Sequence, residues 1–128
     1  MRLLLDTHVL LWWLADDAAL EAAGRALIAD PDNLVHVSAA SVWEAEIKAG
    51  LGRLELASDV ILADHVAGEG FTEVAITAVH GSAAARLPAH HADPFDRMLV
   101  AQARTERLTL VTGDAAILSG YDVDTISV

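Results

Sequence analysis

Short apolar runs alternate along the chain with longer alanine-rich stretches whose apolar positions recur at helical spacing. Leu3, Leu4 and Leu5 form an unbroken run that stops at Asp6, the pattern of a strand buried on both faces. Residues 10–14 and 18–29 read as helices, the second with Leu20, Ala23, Gly24, Leu27 and Ile28 on one stripe. A turn at Pro31-Asp32-Asn33 leads into a strand over 34–37. Ser38 or Ser41 is placed to cap a helix that runs to Ala49 and ends at Gly50, with Val42, Trp43 and Ile47 expected to face inward and Glu46 outward. Ser58 opens a helix that reaches Glu69 and stops at Gly70. A strand over 72–76, a helix over 78–87 ended by Pro88, and a long helix starting at Asp93-Pro94 follow. A strand over 109–112, a short helix over 115–118 and a strand over 124–128 complete the chain.

Strands separated by helices imply βαβ units, right-handed crossovers and a sheet covered on both faces. The expected fold class is α/β, a three-layer α/β/α sandwich with a mostly parallel central sheet. With 128 residues and no linker or repeat, residues 1–128 read as a single domain. In such folds ligands bind beyond the carboxyl ends of the strands, near the point where strand order reverses.

Composition narrows the chemistry. There is no cysteine, which excludes disulfides, thiolate zinc sites and cysteine nucleophiles. The longest stretch without a charged residue covers 74–85, too short to span a bilayer, and Asp6 interrupts the N-terminal apolar run before it could serve as a signal peptide. A cytoplasmic protein with no membrane association is expected. Nineteen acids against eight bases leave a formal charge of −11, so a broad basic footprint for nucleic acid is absent. Contact with RNA or DNA would have to run through metal ions and a few local cations. Acidity also serves plain solubility, so the positions of the acids decide.

Four acids stand at element boundaries. Asp6 ends the first strand, Glu44 lies early in the helix after the second, Asp96 lies in the first turn after Asp93-Pro94, and Asp114 leaves the strand over 109–112 through Gly113. Each has an ordinary structural job open to it. Asp6 suits a helix cap, Glu44 an i,i+4 pair with Lys48, Asp96 the third position of a capped helix, and Asp114 a turn or short-helix cap. Asp93 and Arg97 are likewise spaced to pair. Gathered at one end of a sheet, however, four carboxylates repel and cost stability. A hard divalent cation relieves that repulsion, and oxygen-only ligands favour Mg²⁺ or Mn²⁺. Such sites hydrolyse phosphodiesters by activating a water and offsetting phosphate charge. The six histidines show no metal-ligand spacing, and Trp12, Trp13 and Trp43 read as core or interface residues.

Leu4-Leu5-Asp6-Thr7-His8 with Leu11-Trp12-Trp13, then Ser38-Ala39-Ala40-Ser41-Val42-Trp43-Glu44, then Asp93-Pro94-Phe95-Asp96-Arg97-Met98-Leu99-Val100-Ala101, then Thr112-Gly113-Asp114 occur in that order. Together they resemble a PIN domain of the VapC toxin family over essentially the whole chain. The resemblance implies a PIN-like α/β/α fold and a Mg²⁺- or Mn²⁺-dependent endoribonuclease. It also implies the toxin of a toxin–antitoxin pair, as a homodimer bound to a VapB-type antitoxin. It places the catalytic, metal-holding acids on Asp6, Glu44, Asp96 and Asp114, with Thr112 beside Asp114 as a water or metal-shell ligand; Thr7 is a supporting candidate, and Asp93 is an extra acid expected to cap the helix or to support the site. Arg97, Lys48 and Arg53 are candidates for phosphate contacts on their charge alone. Two other classes share features of this pattern: a binding-only module whose acids meet a partner's arginines, and a phosphoryl-acceptor receiver. The receiver wants paired acids after the first strand and one after the third, and this chain has neither.

Overall fold

The computed structural model describes residues 1–52, 61–90 and 92–128. Its five strands are β1 (Arg2–Leu5), β2 (Leu34–Ser38), β3 (Thr72–Val74), β4 (Thr109–Thr112) and β5 (Thr125–Ser127). They form one sheet in the order β3-β2-β1-β4-β5, every neighbouring pair parallel. The helices among the described residues are α1 (Thr7–Leu14), α2 (Ala22–Ala29), α3 (Ala39–Gly50), α4 (Leu62–Gly68), α5 (Ala78–Ala85), α6 (Pro94–Glu106) and α7 (Ala115–Gly120).

The three leucines of β1 explain the layering. Side chains alternate across a strand, so Leu4 joins one core with residues of α5, α6 and α7, while Leu3 and Leu5 join another with residues of α1, α2 and α4. All three are fully buried, as a central strand between two helical layers requires. This is the expected α/β/α sandwich. The chain winds outward from β1 to β2 and β3, then crosses back to lay β4 and β5 on β1's other edge. Strand order therefore reverses between β1 and β4, and both strands end at acids: Asp6 follows β1, and Gly113-Asp114 follows β4.

Several expectations shift. α1 begins at Thr7, three residues before the expected start, because Asp6 is extended (φ −64°, ψ 153°) and its side chain accepts the Thr7 N–H. Residues 18–20 are not helical; the Asp17 side chain accepts the Ala19 N–H and its carbonyl the Leu20 N–H, and α2 starts only at Ala22. β3 ends at Val74 instead of continuing to residue 76. On α3, Val42 packs against the core and Glu46 faces solvent, but Trp43 and Ile47 are 61% and 36% exposed rather than inward-facing. The expected start at Ser58 lies outside the described residues.

Candidate active site

The site is built on strand ends and helix starts. Asp6 is 2% exposed. Its Oδ1 accepts the Thr7 N–H at 2.7 Å, and its Oδ2 accepts the Thr112 hydroxyl at 2.6 Å. The Thr112 oxygen accepts the Asp114 N–H at 3.0 Å, so one hydroxyl joins two of the acids. Asp114 caps α7 through Oδ1, which accepts from Ala116 at 2.8 Å and more weakly from Ile117 at 3.4 Å. Burial pushes the Asp6 carboxyl up from its usual range; the His8 ring, the Thr112 hydroxyl and the Thr7 N–H pull it back, and Asp114 adds to the rise.

Glu44 arrives on α3. Ser38 caps that helix by accepting the Ala40 N–H, and Thr7 donates to Ser41 at 3.0 Å, fixing α3 against the start of α1. Glu44 is 5% exposed, with Oε2 2.9 Å from Lys48 Nζ and Oε1 buried without a hydrogen-bond partner. A buried carboxylate oxygen left bare is costly. The Lys48 ammonium is pushed up first by its bond to Glu44, with burial working against it and the charges of Glu44, Asp93 and Asp96 adding to the rise.

Asp96 shows most directly that the acids share one field. Its carboxyl is pushed up to about 7, first by burial and then by the charges of Asp6, Asp93, Asp114 and Glu44. Asp93 fulfils its capping expectation: its Oδ1 accepts from Phe95 at 2.9 Å and Asp96 at 3.2 Å, with Pro94 opening α6.

The three cations fare differently. Lys48 is at the site, already paired with Glu44. Arg97 does not use its guanidinium on Asp93 as the spacing suggested; it donates to the carbonyls of Pro88, Ala84 and Leu87 and so closes the end of α5. Arg53 lies outside the described residues.

Two participants were missed in the sequence. Ser41 is a buried partner of Thr7, and His8 bridges toward Asp6 and Gly113. The only sequence signal for His8 was its place two residues after a strand-end acid.

The donor set suits a hard cation: carboxylates only, mutually repelling, one with an unpartnered buried oxygen. Among the described residues, no group of three or more His, Asp or Glu side chains is placed to hold an ion directly as these side chains stand. A hard cation that keeps several of its waters needs only one or two of these carboxylates directly.

A family model for the PIN domain matches residues 3–122, and the chain belongs to the PIN-domain family. Within it the chain is of the VapC type: it is 37% identical over 123 residues to Ribonuclease VapC22 of Mycobacterium tuberculosis strain ATCC 25618 / H37Rv, a match covering 91% of this chain and 89% of that one. The fold is shared with VapBC2 from Rickettsia felis, solved bound to a DNA fragment from their promoter, at a TM-score of 0.69 and 12% identity over 99% of this chain and 98% of that one. It is also shared with VapBC-5 from Mycobacterium tuberculosis, at a TM-score of 0.63 and 23% identity over 99% and 98%.

Proposed function

We propose that this protein is a Mg²⁺- or Mn²⁺-dependent endoribonuclease that hydrolyses RNA phosphodiester bonds as the toxin of a VapBC-type module. The observation that carries the reading is the Asp96 carboxyl, pushed up to about 7 inside a field of four further acids. A hard cation offsets such mutual repulsion, and acids perturbed together in this way mark a candidate functional site. The 37% identity to a protein named a ribonuclease supports the substrate class.

Asp6, Glu44, Asp96 and Asp114 are the residues that would hold the ion, directly or through water. The chemistry such an ion supplies is a more acidic water and compensation of phosphate charge. The chain's own residues do the positioning. Thr7 and Thr112 fix both oxygens of Asp6, Thr112 also fixes the backbone at Asp114, and Lys48 holds one oxygen of Glu44 and leaves the other bare. Asp96 would meet the ion as its carboxylate.

A protein partner belongs to the reading. VapBC complexes share the fold, and Trp43, Ile47 and Leu51 recur one helical turn apart at the surface of α3 and its end. Exposed apolar residues in such a row are what a partner covers, either the antitoxin or a second copy in a homodimer. The proposed location is the cytoplasm; among the described residues no helix is long and apolar enough to cross a membrane.

The test is incubation of the purified, antitoxin-free chain with bulk bacterial RNA in Mg²⁺, Mn²⁺ or EDTA. Fragments that need the metal support the reading. A folded protein that neither cuts RNA nor binds Mn²⁺ would instead be a binding-only module.

A further inference from the structure

We infer that His8 is a positioning residue that clamps the Asp114 turn to Asp6 and so sets the affinity of the acidic site for a divalent cation. This rests on the nuclease reading above. His8 Nε2 accepts the Gly113 backbone N–H at 3.0 Å, and Nδ1 lies 3.4 Å from Asp6 Oδ2. The bond from Gly113 occupies the Nε2 lone pair, so the ring proton of the neutral imidazole sits on Nδ1 and faces the carboxylate. A proton on Nε2 would set two donors against each other.

Three features show that the arrangement is constrained. The approach at Gly113 is close: a Cβ there would stand 3.3 Å from His8 Nε2 and 3.1 Å from the Val128 carbonyl oxygen. Trp12, one turn further along α1, packs edge-on to the imidazole with centroids 4.8 Å apart and planes at 66°. Finally, the N–H groups of Gly113 and Asp114 are both taken by side chains that also meet Asp6, the first by His8 and the second by Thr112. Two successive backbone donors held in this way fix the direction in which Asp114 leaves β4. His8 acts on the site as outer partners act on metal ligands, through orientation.

The test compares His8→Ala, His8→Asn and His8→Gln in the full chain. An Asn side chain can keep a donor beside Asp6 but does not reach Gly113, whereas Gln can offer its carbonyl oxygen to the Gly113 N–H. Mn²⁺ affinity is read by calorimetry without RNA, the fold by melting in EDTA, and the His8 tautomer by ¹⁵N NMR of the metal-free wild type. The expected result is an unprotonated Nε2, Mn²⁺ affinity about tenfold or more weaker in His8→Ala and His8→Asn, and His8→Gln recovering most of it. If His8→Ala does not fold, the contrast between Asn and Gln decides. Unchanged Mn²⁺ affinity in folded His8→Asn, or a proton on Nε2, overturns the proposal and leaves the nuclease reading standing. A wild type that binds no Mn²⁺ overturns the nuclease reading, and the role of His8 at a metal site falls with it.

Discussion

The Thr112 hydroxyl donates to Asp6 Oδ2 at 2.6 Å, joining the ends of β4 and β1 across 106 residues of sequence. It does so at the point where strand order reverses, and the same oxygen accepts the Asp114 N–H. Thr112→Val keeps the shape and removes both bonds from a fully buried position. Leaving those partners unsatisfied should cost ~1–3 kcal/mol in urea denaturation, and Thr112→Ser should recover most of it. Equal stability of the Val and Ser variants would remove the hydroxyl from the site's framework.

Asp96 makes stability depend on pH in an unusual direction for a carboxyl. Its folded value of about 7 lies above the ~3.9 of an unfolded aspartate, so the folded chain holds the proton more tightly. That contribution to stability is complete below the unfolded value and is lost as pH rises through 7. In EDTA, the melting temperature should fall between pH 5 and 8. Saturating Mg²⁺ should reduce the fall and Asp96→Asn should make it shallower, leaving the smaller share of Asp6. A wild-type profile that Asp96→Asn does not alter would contradict the assignment.

Lys48 and Glu44 pair across the boundary of the site, Lys48 half exposed and Glu44 buried. Lys48→Met strands a carboxylate whose other oxygen already has no partner. The expected loss in the metal-free protein lies between the ~1 kcal/mol of a surface pair and the ~3–5 kcal/mol of a broken buried one. Added Mn²⁺ should narrow the gap between variant and wild type. A gap of the same size with and without Mn²⁺ would separate the pair from the metal site.

Arg97 serves the fold. Its guanidinium closes the end of α5 on three carbonyls, so Arg97→Ala should lose ~2–3 kcal/mol of stability. Cleavage per folded molecule should stay close to wild type. Unchanged stability with lost cleavage would assign Arg97 to phosphate binding.

The sequence shows elements more readily than their surroundings. Leu3-Leu4-Leu5 before Asp6 and Asp93-Pro94 before Phe95 are local patterns, and both appear in the structure as a buried strand and a capped helix. Asp6, Asp96 and Asp114 were legible because each stands at an element boundary of a parallel sheet, whereas Glu44 lies in the middle of α3; the shared field around Asp96 reflects that topology. Trp43 and Ile47 misled because helical spacing marks a face as apolar without saying whether anything covers it; Trp43 stays largely exposed, its ring edge-on to Phe95. Asp93 and Arg97 are spaced as a pair, yet the carbonyls ending α5 lie close enough to take the guanidinium first. The bridges from His8 to Gly113 and from Thr7 to Ser41 join residues far apart in sequence, so they were hidden until the fold brought them together.

The most direct measurement is RNA cleavage by the wild type beside Asp6→Asn and Asp96→Asn, each verified as folded, in Mg²⁺, Mn²⁺ and EDTA. Wild-type cutting that EDTA abolishes, with both variants at least ~100-fold slower, is the expected result. Metal-dependent cutting that survives in both folded variants would show that this carboxylate cluster is not the nuclease site.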